Sequence, residues 1–325
     1  MGLRYLNKYF KEECKNSDTI KLINMRQLSG KKIVIDVSIY LYKFASDGTL
    51  IENMYSMLSI FRHYNITPIF VFDGKAPAEK KELIERRLQE KKEAENEFNK
   101  LKSNLDYNLN MDEDEKHEIT NKMDILKKKF VSISKKQIHD VKMLITCYGM
   151  TYCDAPNEAD ELCAMFVIKG IVWACLSEDM DMFLYGCPRV LRYLSLLNHT
   201  FVLYDTKKIL SKLQINQNEL REICVVSGTD YNLMNQCISN CDLYSSLKYF
   251  KKYKGQKISC SFYDWLIENT NYITDDYELF KKNCSMFEFN TELNEFENIR
   301  ILNKNVMFSE MKEILKKDGF IFVNY

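Results

Sequence analysis

Three short apolar runs in this chain each end in an acid: Ile33-Val34-Ile35-Asp36, Ile69-Phe70-Val71-Phe72-Asp73, and Ile171 through Ser177 with Asp179 and Asp181 just beyond. Runs of β-branched and aromatic residues without alternation read as strands buried on both faces, the condition of a parallel sheet covered by helices on each side. Open parallel sheets carry their sites beyond the carboxyl ends of the strands. Three such strands deliver four carboxylates to one edge. Carboxylates gathered so closely disfavour one another's charged form unless a cation sits among them. Hard divalent ions such as Mg2+ take all-oxygen ligand sets of this kind.

With 325 residues the chain is long enough for one large core or for two domains. Its 46% apolar and 28% charged content is that of a soluble globular protein. No apolar run reaches the roughly 20 residues that span a bilayer. The first ten residues, Met1 to Phe10, are mixed and amphipathic, so neither a membrane segment nor a secretory leader is expected. The eleven cysteines include no C-x-x-C pair, and the Cys147/Cys153 and Cys237/Cys241 spacings match no zinc ribbon or finger. Unpaired thiols in an intracellular, reducing compartment are the plain reading. Lys+Arg and Asp+Glu both number 46, so any basic surface must be local. Lysine outnumbers arginine, asparagine is frequent, and glycine (10) and proline (4) are scarce, a bias that points to an AT-rich coding genome.

Along the chain the character changes twice. Residues 1–77 read as an α/β start, with strands ending at Asp36 and Asp73 and a helix around Ile51 to Tyr64. Residues 78–134 are thin in apolar groups: Glu82 to Phe98 and Glu115 to Phe130 read as charged helices around a polar break at Asn104 to Asp114. Such a stretch is either a functional insertion or a plain solvated hairpin. Core chemistry resumes over 135–257. There Asp154 to Asp160 reads as a helix start with Asn157 at the N-cap, and Ile171 to Ser177 as a third buried strand. Val190 to Leu196 and His199 to Tyr204 read as a strand hairpin, and Asn218 to Val226 as a helix leading to Asp230. Residues 248–257 hold five lysines and no acid. The remaining stretch, 258–325, is acidic and is expected to pack as a helical cap.

The acids at strand ends and helix starts are Asp36, Asp73, Glu158, Asp160, Asp179, Asp181 and Asp230. Each alone also suits a turn or a helix cap. Their motifs together resemble the flap endonuclease/XPG family of structure-specific 5′ nucleases. The matching segments are Val34 to Tyr42, Val71 to Pro77, Ala155 to Asp160, Ser177 to Asp181 and Ser227 to Tyr231, in the family's order over roughly residues 1–235. The resemblance implies an α/β fold: a mostly parallel central sheet flanked by helices (a PIN-like, resolvase-like nuclease core), with a helical arch over 78–134 and a helical C-terminal region. It implies that the seven acids hold two Mg2+ ions, for which Mn2+ substitutes. It also implies that Lys80 and Arg87 act on the scissile phosphate, with Arg86 the alternative should the register slip by one. Asp181 is the third residue assigned to catalysis. Tyr42 would stack on a base beside the cut, and Gly2 would lie near the site.

The chemistry fits those roles. Two metals about 4 Å apart activate water and neutralise charge on the attacking and leaving oxygens. Lys80 and Arg87, seven apart, share a helix face and can stabilise the transition state. Tyr42 offers a sequence-tolerant stacking surface. The family's glycine-rich helix-hairpin-helix turn is replaced here by Asn232 to Cys241, which lacks the glycines such turns use. Lys248, Lys251 and Lys252 either contact duplex phosphates in compensation or form a solvated helix end. No sliding-clamp docking peptide of glutamine plus paired aromatics is found. The expected partners are therefore DNA with 5′ flaps, branches or free 5′ ends, in replication, repair or recombination, with no membrane. The compartment would be the nucleus or, for a viral member, a cytoplasmic replication site. Two alternatives remain open: an RNA-directed 5′ nuclease, and a catalytically silent nucleic-acid-binding scaffold of the same fold.

Overall fold

Among the described residues, seven strands form one mixed sheet in the order β1-β7-β6-β5-β2-β3-β4. They are β1 (Ile20–Asn24), β2 (Lys32–Asp36), β3 (Thr67–Phe72), β4 (Thr151–Asp154), β5 (Ala174–Leu176), β6 (Arg189–Ser195) and β7 (Thr200–Asp205). The computed structural model describes residues 3, 5–15, 17–107, 113–231, 241–256, 260–273, 277–289 and 295–322, with backbone alone at 106, 107, 113–115 and 277. Strands β4, β3, β2, β5 and β6 run parallel, and β7 and β1 complete the far side antiparallel.

Alternate residues of the central strands feed two separate cores, as the strand period of two requires. Val34, Ile69, Val71, Cys175 and Val190 face one side. There they meet α1 (Leu6–Glu13), α7 (Ala159–Ile168), α8 (Asp181–Leu184), α9 (Thr206–Leu213) and α10 (Gln217–Val226). Further out on that side lie α11 (Leu243–Gly255), α12 (Phe262–Asn269) and α13 (Tyr277–Ser285). Ile33, Ile35, Phe70, Ala174 and Leu176 face the other side, against α2 (Val37–Ser46), α3 (Leu50–His63), α6 (Lys135–Cys147) and α14 (Phe308–Lys317). Between α3 and α6 in sequence, α4 (Lys81–Tyr107) and α5 (Glu113–Lys129) pack on each other. Phe98 meets Phe130 edge to face at 5.4 Å, and Lys122 pairs with Glu97 at 2.9 Å.

Several local details depart from the sequence expectations. The strand expected over Ile171 to Ser177 is only Ala174–Leu176, because Gly170 ends the preceding helix with φ +73° and the chain needs residues 171–173 to reach the sheet. Asn157 is not the N-cap of α7; Glu158 occupies that position without a side-chain cap bond. Both β1 and β4 lie at the sheet's edges, with three of five and two of four residues exposed, so neither carries the continuous apolar run that marks a buried strand. The glycine-poor segment 232–240 lies outside the described residues. None of the ten described cysteines is in a disulfide, and among the described residues no helix is long and apolar enough to cross a membrane.

The chain's own C-terminal region runs along the segment that enters the edge strand β4. Lys304 N–H donates to the Gly149 carbonyl at 2.8 Å, Met307 N–H to the Cys147 carbonyl at 2.7 Å, and Asn303 forms an antiparallel bridge with Met150. Leu302 N–H donates to Thr151 Oγ1 at 2.8 Å, and α14 then buries Met311 and Leu315 against the α3/α6 side. Covering an edge removes a pairing template that would otherwise invite aggregation. Gly149 sits at φ +70°, and a methyl group there would overlap the Lys304 backbone. Gly149→Ala is therefore expected to destabilise the fold by about 1–3 kcal/mol, read as a lower urea midpoint. A midpoint unchanged within error would mean that the C-terminal strap does not hold this edge.

Candidate active site

The carboxyl ends of β2, β3 and β5 open onto one cleft of about 490 Å³, lined among others by Asp36, Asp73, Glu158, Asp160, Asp179 and Asp230. Asp181 lies just beneath, 2% exposed. All seven acids singled out in the sequence thus meet in one place, although they come from segments up to about 200 residues apart.

Backbone geometry fixes the frame. Asp36 ends β2 and opens α2. Asp73 follows β3, and its Oδ1 accepts the Ala159 N–H at 2.9 Å, so one acid caps in trans the helix that carries two others. This arrangement requires Gly74, whose N–H donates to the Asn157 carbonyl at 2.7 Å. A methyl group at Gly74 would overlap the carbonyls of Ala155, Pro156 and Asn157. Beyond β5, Ser177 Oγ donates to Asp36 Oδ2 at 2.9 Å and accepts the Asp179 N–H at 3.1 Å; Asp179 Oδ1 accepts the Asp181 N–H at 3.0 Å. The buried Arg192 holds this loop from behind through the Glu178 carbonyl at 2.7 Å and the Glu178 carboxylate at 3.5 Å.

Two cations from the base of the charged insertion reach into the acids. Lys80, 7% exposed in the short 3-10 turn before α4, pairs with the Glu158 carboxylate at 2.8 Å. Arg87 donates to Asp230 Oδ2 at 2.8 Å. Lys80, Ile84, Arg87, Leu88 and Lys91 line the cleft together, the i, i+4, i+7, i+8, i+11 stripe of one helix face. Arg86 instead pairs along its own helix with Glu90 at 3.6 Å and does not line the cleft. Tyr42 does line it, about half exposed, with the Lys91 ammonium 5.2 Å from its ring centre. Lys248, Lys251 and Lys252 lie elsewhere, around a second cavity with Tyr9, Glu13 and Tyr244. Gly2 lies outside the described residues.

Burial and crowding dominate the electrostatics. Burial, with Asp73 beside it, pushes the Asp36 carboxyl up to about 7. Burial first and Asp179 second hold Asp160 and Asp181 well above the usual carboxylate range. Burial alone would lower Lys80, but Glu158 and Asp181 outweigh it and the ammonium is held above its ordinary value.

Divalent ions suit the chemistry of this donor set, which is all oxygen, crowded and short of positive charge. One observation bears on the fit: Asp181 Oδ1 is buried and accepts no hydrogen bond, a lone pair that burial makes costly unless a cation meets it. Among the described residues, however, no three donors stand in a finished coordination shell. Glu158 and Asp230 are turned toward Lys80 and Arg87 instead.

Two contributors had no assigned role in the sequence reading. Ser177 bridges Asp36 and Asp179. Tyr231 donates to Glu158 Oε2 at 3.1 Å. Both lie inside the recognised motifs, so their position was visible while their bonding was not.

The sequence matches the XPG N-terminal domain over residues 1–94 and the XPG I-region over residues 149–230. Those two segments contain all seven acids together with Lys80 and Arg87. The chain belongs to the flap endonuclease/XPG family. It is 30% identical over 253 residues to a flap endonuclease 1 of Candida tropicalis, covering 71% of this chain and 63% of that protein. It is 29% identical over 328 residues to a flap endonuclease 1 of Sulfolobus acidocaldarius, covering 90% of this chain and 89% of that protein. The chain thus spans a little under two thirds of the Candida relative and nearly all of the Sulfolobus one. A solved catalytic core of Rad2 in complex with DNA substrate superimposes with a TM-score of 0.67 at 18% identity, over 98% of this chain and 95% of that one; this likeness is one of fold.

The raised carboxyl groups have a consequence for stability. Acids held above their unfolded values keep protons in the folded state that the unfolded chain has already lost. Stability is then lost as pH rises from the unfolded carboxylate range, near 4, through about 7 for Asp36. In EDTA, Asp181→Asn is expected to raise Tm at pH 8 by about 2–5 °C relative to the parent and to change it little at pH 4.5. A variant less stable than the parent at pH 8 would show that the cluster is not under electrostatic strain.

Proposed function

We propose that the chain is a divalent-metal-dependent, structure-specific 5′ nuclease that hydrolyses DNA phosphodiester bonds at 5′ flaps, branches or free 5′ ends. The observation that carries the reading is the meeting of seven carboxylates with Lys80, Arg87 and an exposed Tyr42 at one cleft. Charge supports it. With every group ionised, seven carboxylates face three cations, Lys80, Arg87 and Lys91, and the deficit of four is the charge that two Mg2+ ions carry.

Asp36, Asp73, Glu158, Asp160, Asp179, Asp181 and Asp230 would hold the ions directly or through water. When bound, the ions supply water activation and charge neutralisation at the phosphate. The chain's own residues do the rest. Asp73 and Ser177 fix the acid-bearing segments through the 2.9 Å bonds described above. Lys80 and Arg87, on one helix face and held by Glu158 and Asp230, would stabilise the charge that develops on the phosphate oxygens. Tyr42 and the apolar side chains Ile39, Ile84 and Leu88 form a wall against which an unpaired base can stack.

The test is cleavage of 5′-labelled and internally labelled DNA flaps, beside plain duplex and an RNA flap, in Mg2+ and in EDTA. Mg2+-dependent release of the flap is expected, with RNA a poorer substrate. Preferential cleavage of the RNA flap would assign the chain to RNA instead. Binding without cleavage of any substrate would make it a silent scaffold. Asp181→Ala is expected to lower the single-turnover rate by about 10²-fold or more while leaving flap binding within a few-fold. Lys80→Ala should cost about 10²-fold in the same rate. Full activity in purified Asp181→Ala protein would refute the assignment.

A further inference from the structure

Tyr231 touches both partners of the Lys80–Glu158 pair. Its hydroxyl donates to Glu158 Oε2 at 3.1 Å. The Lys80 ammonium stands 4.6 Å from its ring centre, a distance at which a cation is attracted to the π-face. The next residue back, Asp230, holds Arg87 at 2.8 Å. Two consecutive residues after α10 thus hold Lys80 and Arg87, two of the three cations that α4 and its leading turn bring to the cleft.

The ring itself is firmly seated. Phe287 meets it edge to face at 5.4 Å, and the Tyr185 hydroxyl lies 3.4 Å from its own. Tyr185 in turn is buried against Phe287 at 5.3 Å and stacks on Phe289 at 6.1 Å. A phenol is protonated at neutral pH, so the Tyr231 hydroxyl is a donor to the carboxylate.

We propose that Tyr231 is a positioning residue for the reaction: its hydroxyl orients the Glu158 carboxylate as a metal ligand, and its ring holds the Lys80 ammonium toward the phosphate. It touches neither substrate nor metal, and it acts through those two side chains. The inference rests on the nuclease reading for its Lys80 half; its Glu158 half needs only metal binding. A ligand's hydrogen-bond partner tunes affinity by fixing orientation. A cation held against a ring keeps fewer orientations than one on a free lysine stem.

Two double-variant cycles test it, and the first needs no nucleic acid. Mn2+ affinity of the full chain is measured by electron paramagnetic resonance for the parent, Tyr231→Phe, Glu158→Gln and the pair. Tyr231→Phe keeps the ring and loses only the hydroxyl. It is expected to weaken Mn2+ binding about tenfold when Glu158 is present, and less than about twofold when it is not. Equal losses in both backgrounds would overturn the Glu158 half, as would a parent protein that binds no Mn2+.

The second cycle compares single-turnover flap cleavage in Tyr231→Leu and Tyr231→Phe, with Lys80 intact and in Lys80→Ala. The Leu variant should lose at least about tenfold with Lys80 intact, and less than about threefold in Lys80→Ala. The Phe variant should retain the Lys80-dependent share of the rate. Additive losses would reduce Tyr231 to a structural residue. Should the Leu variant not fold, Tyr231→Met takes its place in this cycle, because the Phe variant keeps the ring and tests the hydroxyl alone. Should the parent bind Mn2+ but cleave nothing, the nuclease reading falls and the Mn2+ cycle alone decides the role of the hydroxyl.

Discussion

Mutual repulsion among carboxylates at the end of a parallel sheet is the constraint from which the rest of this architecture follows. Asp36 and Asp181 are buried, Asp160 is half-buried, and all three are crowded enough that their neutral forms are favoured above the usual range. A fold that holds them together does so at a cost, and the structure offsets the cost in three ways. Backbone N–H groups are turned onto Asp73 and Asp179. The first turns of α7 and α8 place acids at helix N-termini, where the backbone dipoles favour negative charge. Lys80 and Arg87 are drawn in from an element that otherwise stands apart.

The two-sided core makes this cluster rigid. Residues alternating between the α7 side and the α3 side pin each central strand from both faces, so the ends of β2, β3 and β5 cannot drift independently. Rigidity then passes to the loops through close backbone contact. Gly74 lets the segment after β3 lie directly on residues 155–157, and the Arg192 guanidinium braces the loop that carries Asp179 and Asp181. The strap at residues 302–307 has an analogous part at the far edge, since it holds the segment entering β4, the strand that pairs with the one leading to Asp73.

Much of this was legible in the sequence where physics leaves a local mark. Buried parallel strands read as apolar runs, which exposed β2 and β3, and the amphipathic spacing of Met54, Leu58 and Phe61 marked α3. The seven acids could be named because their segments carry distinctive motifs. Edge strands leave no such mark: Ile20–Asn24 and Thr151–Asp154 gain their structure from partners far away in sequence. The start of α7 was misread for the same reason. Asn157 has the chemistry of a cap, but Asp73, more than eighty residues earlier, takes the N–H that a cap would take. Side-chain bonding was equally hidden, so Ser177 and Tyr231 were seen as motif members without the contacts that define them.

The cleft presents a conflict that its own composition resolves. A nucleic acid is a chain of negative charges, and this site is itself short of positive charge. A phosphate cannot settle among the acids on the strength of Lys80 and Arg87 alone, because each is already engaged by a carboxylate at 2.8 Å. Ile39, Tyr42, Ile84 and Leu88 give the same cleft an apolar surface, and stacking on such a surface is tolerant of base identity. For the substrate proposed, base and phosphate would thus be met by different side chains of one cleft. The base contact would not draw on the acids, whereas Lys80 and Arg87 would be freed for the phosphate only if bound cations took over Glu158 and Asp230. Placing both cations on the insertion rather than on the sheet links these events: when the acids change partner, the residues released belong to the same helix face that carries Ile84 and Leu88.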